Sequence, residues 1–186
     1  MIGLMQQMGA LIPRLETPRL ILRAPQLADF DAYAAYQASD RSRFTGGPLE
    51  RNLAWRAFGH VAGHWLLRGY GVFVLQDKAT GRAIGTAGPW FPEGWPEPEI
   101  AWTLWDSEGR GLAAEAALAA RDWAYESLGW HSAISMILDG NTRSEALAAR
   151  LGCTREGGFT HAQFGATSVW RHPAADTLGA GAEAYS

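Results

Sequence analysis

The sequence predicts a mixed α/β domain, one central sheet flanked by helices on both faces. Short apolar runs bounded by turn residues alternate along the chain with stretches of helical spacing. Strands such as Gly71–Gln76 are apolar on both sides, as a strand covered on both faces must be. The 186 residues, 47% of them apolar, suit one domain that buries its core without metal or disulfide staples.

Leu20, Ile21 and Leu22, framed by Pro18 and Pro25, form a first strand with Arg23 at its end. Asp29 to about Ser39 has helical spacing, with Phe30, Tyr33 and Ala34 on one face. A second helix lies within Pro48–Arg68, its apolar positions Leu53, Phe58, Val61 and Trp65. Gly71–Gln76 is a strand, Ala79-Thr80-Gly81-Arg82 a turn, and Ala83–Ala87 the beginning of the next strand. Trp90–Pro98 is a Pro-rich connection and Glu99–Leu104 a further strand. Leu112–Leu128 is an Ala-rich helix, Ser132–Leu138 a strand, and Ser144–Leu151 a short helix stopped by Gly152. A last pair of strands spans roughly Ala162–Arg171, and the Ala/Gly-rich tail from Ala174 is loose.

A formal charge of −3 offers no basic nucleic-acid surface. The single cysteine, Cys153, excludes a disulfide framework and a Cys-rich zinc site. The segment Met1–Ile12 lacks a basic leader region and is interrupted by Gly3, Gln6, Gln7 and Gly9, so it reads as an extension, not a signal peptide. No apolar run is long enough to span a bilayer. The expectation is a cytoplasmic protein without membrane or nucleic-acid partners.

The informative junction is Glu108-Gly109-Arg110-Gly111-Leu112-Ala113, between a strand and the long helix. Glycines let backbone approach a ligand. A helix start offers unpaired N–H groups and a positive dipole end to a pyrophosphate. Ala113, Ala114, Ala116 and Ala117 keep the first turns slim. No Lys-Ser/Thr follows Gly111, as a Walker loop needs, and the three spaced glycines of a dinucleotide fingerprint are missing. Alone, the run reads more readily as a plain helix-start turn than as a phosphate site.

Three segments in register resemble the GCN5-related N-acetyltransferase (GNAT) superfamily. Glu108–Ala113 followed by Glu115 is similar to its coenzyme loop, Arg/Gln-x-x-Gly-x-Gly/Ala. Asn141-Thr142-Arg143-Ser144 with Leu147, Arg150, Leu151 and Gly152 resembles its Asn-x-x-Ser plus Leu-Gly-Phe segment. Leu15–Arg23 resembles the start of the branch that acetylates ribosomal-protein N-termini. The resemblance implies an N-terminal extension over 1–13, a transferase domain over 14–173 and a C-terminal tail over 174–186. It implies a GNAT acyl-CoA acyltransferase-like fold and acetyl-CoA as co-substrate, with no metal. The acetyl group then passes to a primary amine, a protein N-terminus or a small molecule, in a ternary complex. Three departures stand out. Glu108 occupies an Arg/Gln position, where a carboxylate repels phosphate unless it points away. Cys153 replaces Phe after Gly152, and Ala148 lies where many relatives carry a Tyr proton donor.

The resemblance also assigns roles. Strand Glu99–Leu104 should part from Ser132–Leu138, leaving amides near Trp102, Thr103 and Leu104 to hold the pantetheine arm and polarise the thioester. Gly109, Arg110, Gly111, Leu112 and Ala113 should hold the pyrophosphate. Asn141 should contact pantetheine amides or form a turn. Arg110, Arg143 and Arg150 are phosphate candidates, although a solvated charge is the ordinary reading of each. Glu99 is the candidate base. A solvent-facing Glu after Pro98 is the more ordinary reading and the one the sequence favours. Ser144 is the candidate to hydrogen-bond the leaving thiolate or the pantetheine, or equally a helix-start residue.

His60 and His64 have a metal-compatible i, i+4 spacing without a third ligand. Cys153 follows a helix C-terminus, where the dipole disfavours a thiolate. Trp90, Phe91 and Trp95 cluster in the Pro-rich connection, to wall an acceptor pocket, meet a second copy in a homodimer, or pack locally. The rival function is a non-catalytic acyl-CoA sensor or interaction module. A domain for another nucleotide rests on the glycine run alone.

Overall fold

The computed structural model describes residues 7, 9–162 and 164–177. Most of the expected N-terminal extension and most of the expected tail lie outside them. The strands are β1 (Leu15–Glu16), β2 (Leu20–Arg23), β3 (Phe73–Asp77), β4 (Ala83–Trp90), β5 (Glu99–Leu104), β6 (Ile134–Leu138), β7 (Thr154–His161) and β8 (Gly165–Arg171). The α-helices are α1 (Phe30–Gln37), α2 (Arg51–Arg68), α3 (Leu112–Leu128) and α4 (Thr142–Arg150). The described strands form one mixed sheet in the order β1-β2-β3-β4-β5-β6-β8-β7. Every neighbouring pair is antiparallel except β5 and β6. That parallel pair requires a crossover, which α3 supplies.

Local chemistry explains the boundaries. Asp77 Oδ1 accepts from Ala79 N at 2.8 Å, and Gly81, at φ +71°, returns its N–H to Asp77 O, turning β3 into β4. Helix α3 starts after Gly111 and stops at left-handed Gly129. Its fully buried Ala116 and Ala120 pack with Phe73, Leu75 and Ile84. Ala117 and Ala124 pack with Ile100, Ile137 and Leu147. Side chains this small let the helix lie close to the sheet. Val74, between Phe73 and Leu75, points to the opposite face. There it joins Phe30, Tyr33, Ala54, Phe58 and Trp105, so α1 and α2 cover that side.

Four differences from the sequence reading stand out, beside shifts of one or two residues at the ends of β3, β6 and α1. Strand β4 runs on to Trp90, which lies opposite Glu99, so the Pro-rich connection begins one residue later. Helix α4 begins at Thr142, because Asn141 caps it by accepting from Ser144 N at 3.4 Å. Strand β1 has two residues, too few to show a period. The largest difference is β7, an edge strand of mostly exposed residues with Gly157 and Gly158 inside it. It shows no apolar alternation, so the expected last pair starting near Ala162 begins at its turn. No helix among the described residues is long and apolar enough to cross a membrane.

Candidate active site

The parallel contact between β5 and β6 consists of one bridge, Glu99 opposite Ile134. Ile134 N donates to Pro98 O at 3.0 Å, and the Ser135 hydroxyl donates to Ile100 O at 2.7 Å. Beyond that point β5 stays paired with β4, β6 stays paired with β8, and the two strands part. Because backbone groups alternate sides along a strand, Trp102 and Leu104 share the edge of Pro98 and Ile100. Their N–H and C=O groups therefore open into the gap. Thr103 does not do the same: its carbonyl faces β4, where a Cβ on Gly85 would stand 2.3 Å from it. The Thr103 side chain lines the cavity instead.

Behind the fork, His172 is buried and its Nε2 lies 2.9 Å from Ser135 Oγ. The serine proton is committed to Ile100 O, so His172 donates from Nε2. Burial, helped by the charges of Arg121 and Arg171, pushes His172 down to about 3 and keeps it neutral.

The loop into α3 alternates the sign of φ: Ser107 (+63°), Gly109 (+79°) and Gly111 (+76°) are left-handed, and the residues between them are not. Such alternation turns successive N–H groups toward one side. No side chain caps α3, so its first-turn donors, including those of Leu112 and Ala113, have no intrahelical partner. The neighbouring carboxylates are engaged elsewhere. Glu115 accepts from Thr17 Oγ1 (2.6 Å), Arg19 N (2.8 Å) and Arg19 Nε (2.6 Å). Glu108 is held sideways by Arg41 (2.9 Å) and Arg143 (3.0 Å), which offset its charge. Of the arginines singled out in the sequence, Arg143 thus faces a carboxylate. Arg110 turns its guanidinium back to Asp77 at 3.1 Å. Arg150 is exposed at the far end of α4.

Asn141 and Ser144 stand at the open end of the gap and line the cavity. The Ser144 hydroxyl accepts from Trp102 Nε1 at 3.4 Å, which links β5 to α4 across the gap. As an acceptor in that bond, Ser144 keeps its own proton for donation.

Glu99 is not the solvent-facing residue that the sequence favours. It is 6% exposed. Its Oε1 accepts from Met136 N at 3.1 Å and its Oε2 from Trp95 Nε1 at 2.5 Å. Burial pushes its carboxyl up to about 7, against the opposing pull of the two donors. A carboxyl so placed exchanges a proton near neutrality.

Glu99 opens on a cavity of about 690 Å³ that runs from the β5–β6 gap to a far end built of rings. Trp90 at the end of β4 lines it, and so do Pro92, Glu93 and Trp95, so the Pro-rich connection walls this pocket. His64 is no metal ligand: its Nε2 accepts from Phe91 N at 3.0 Å, and Nδ1 donates to Tyr70 O at 2.7 Å. Cys153 is buried, and burial pushes its thiol up to about 11. Among the described residues no group of three or more His, Cys, Asp or Glu side chains could hold a metal.

Sequence reasoning missed Trp95 as the partner of Glu99, although the two stand four apart across a Pro-rich turn. It also missed Ser135 and His172, which carry no motif, and His161 and Phe164, which only the hairpin β7–β8 brings to the cavity.

A mixed sheet that splits beside an uncapped helix start, with a buried carboxyl at the fork, defines an acyl-transfer enzyme of the acyl-CoA class. The acetyltransferase (GNAT) domain family matches residues 19–154. The chain is 38% identical to an acetyltransferase from Agrobacterium tumefaciens strain C58, with a TM-score of 0.79 over 87% of this chain and 95% of that one. It is 28% identical to a GnaT-family acetyltransferase from Bordetella pertussis, with a TM-score of 0.73 over 87% and 99%. The fold alone is shared with RimL, a ribosomal L7/L12 alpha-N-protein acetyltransferase in complex with coenzyme A, at 15% identity and TM-score 0.70 over 86% and 97%. The chain belongs to the GNAT family and is an acetyltransferase.

Proposed function

We propose that this enzyme moves the acetyl group of acetyl-CoA to a primary amine by direct attack in a ternary complex, with Glu99 as base. The observation that carries this reading is the fork: β5 and β6 share one bridge and then separate beside the uncapped start of α3. Backbone donors at Gly109, Arg110, Gly111, Leu112 and Ala113 suit a pyrophosphate. The free edge of Trp102 and Leu104, with Asn141 and Ser144 opposite, suits the pantetheine arm.

The co-substrate supplies an activated thioester. The acceptor arrives as an ammonium and must lose a proton, which Glu99 takes directly or through water. The amine lone pair then forms the new C–N bond as the C–S bond breaks. An N–H on the open edge of β5 can stabilise the negative charge that develops on the carbonyl oxygen. As the amide forms, the nitrogen sheds its second proton, which passes through the Ser144 hydroxyl to the departing sulfur, so that the hydroxyl is restored. The missing tyrosine at position 148 is thereby replaced by a hydroxyl one turn earlier on the same helix. Positioning supplies much of the rate in such a reaction.

Calorimetric titration with CoA, acetyl-CoA and ATP tests the ligand class. CoA and acetyl-CoA should bind and ATP should not; binding of ATP alone overturns the reading. Gly111→Trp should fill the cradle and weaken CoA by at least tenfold, and unchanged affinity means that the phosphates lie elsewhere.

A further inference from the structure

The far end of the cavity carries more information than the fork about the acceptor. Two groups of rings wall it. On one side Trp90 stacks on His64 (centroids 4.4 Å apart) and lies 4.9 Å from His60. On the other side the His161 ring stacks on Phe164 at 4.8 Å, and Trp95 meets His161 edge-on at 4.7 Å. Trp90 and Glu99 are opposed in the β4–β5 register, so both emerge on one face of the sheet. Trp95 donates to Glu99 from the other group. The buried carboxyl of Glu99 thus lies where the two aromatic walls meet.

The end is also roofed. Gly46, in the loop between α1 and α2, lies against the tip of the β7–β8 hairpin: a Cβ on it would stand 3.0 Å from Phe164 Cε1. Gly46 and Phe164 both line the cavity, so the loop and the hairpin close on each other at its wall.

We infer that the acceptor is a small aromatic primary amine, an aryl-alkylamine whose ring lies between the Trp90 and Trp95 walls and whose nitrogen reaches Glu99. This inference rests on the acetyl-transfer reading above. Flat rings stack or meet edge-on with indole and imidazole walls, and an ammonium is drawn to both a carboxylate and an aromatic face. A polyamine or an aminoglycoside offers these walls no flat ring, and apart from Glu99 its several ammonium groups find only the exposed Glu93 as a carboxylate in the lining. Arg56, which lines the same cavity, adds a positive charge against them. A peptide N-terminus meets the roof.

The test uses the full chain with saturating acetyl-CoA and measures thiol release for 2-phenylethylamine, tryptamine, spermidine, an aminoglycoside and an alanine-led hexapeptide. The two aryl-alkylamines should exceed the other three in kcat/KM by at least tenfold. Trp95→Ala should abolish that preference, and Phe164→Gly should open the roof and raise hexapeptide turnover several-fold. CoA affinity is measured by calorimetry on the same samples. If CoA binds and spermidine, the aminoglycoside or the peptide is preferred, the acceptor inference falls while acetyl transfer stands. If CoA binds and none of the five is turned over, the inference falls too. If CoA does not bind, the reading of the fork itself is overturned.

Discussion

Trp95 donates its indole N–H to Glu99 Oε2 at 2.5 Å, across the end of the β4–β5 hairpin. One residue thus both walls the cavity and holds the proposed base, and its two roles are separable by substitution. Trp95→Phe keeps most of the ring and removes the donor. Without that donor the carboxylate is less favoured, so the Glu99 carboxyl rises above about 7. The acidic limb of the kcat/KM–pH profile, where activity rises as the base ionises, should move to higher pH, while CoA affinity stays within twofold. An unshifted limb would show that the bond does not tune the base.

Glu99→Gln removes the titrating group. As a base, Glu99 should contribute about 10²–10⁴-fold, so the variant should lose activity on that scale and its pH–rate profile should flatten near 7. Stability gives a second readout. The carboxyl lies at about 7 in the fold and near 4.3 in an unfolded chain. Between those values the folded state binds more protons, so wild-type stability falls as pH rises from about 5 through 7. That slope in Tm against pH should be shallower in the variant. A parallel slope would place the ionisation elsewhere.

Gly109 stands at φ +79° with nothing within 4 Å of where a Cβ would sit. Gly109→Val therefore meets no protein atom and projects a side chain from the loop. Left-handed strain costs about 1–2 kcal/mol, or roughly 2–8 °C in Tm for a chain of this size. Calorimetry should show CoA weakened at least tenfold in a protein that still folds. Retained affinity would remove the loop from the site.

Ser135→Ala deletes the hydroxyl that serves Ile100 O and His172 Nε2. Two buried polar groups lose their partner, at about 1–3 kcal/mol each. The urea midpoint should fall accordingly, with the m-value unchanged. A neutral substitution would mean that water replaces the hydroxyl.

Cys153, buried with its thiol pushed up to about 11, should resist iodoacetamide at pH 8 in the native state and react once unfolded in urea. Cys153→Ala should keep kcat within twofold. Rapid native alkylation with loss of activity would contradict its burial.

The frame was legible where pattern is strong. β5 and α3 match the sequence reading residue for residue, because Pro98 and the glycines of the loop mark their ends and each has a clear period. The turns of the loop before α3 were legible because left-handed backbone favours glycine. Three things were not. The burial of Glu99 depends on Trp95 folding over it and on β6 arriving beside it, neither of which is local. Arg110 reads as a free cation until β3 brings Asp77 within 3.1 Å. Strand β7 draws its place from pairing with β8, since its own exposed, glycine-interrupted sequence gives no alternation to read.

The sheet behaves as two panels, β1–β5 and β6–β8, joined along a seam with a rivet at one end. Met136 N–H to Glu99 Oε1 is part of that rivet. The carboxyl proposed to trade protons with the acceptor therefore also fastens the panels, so tuning its acidity and tuning the width of the seam are one adjustment.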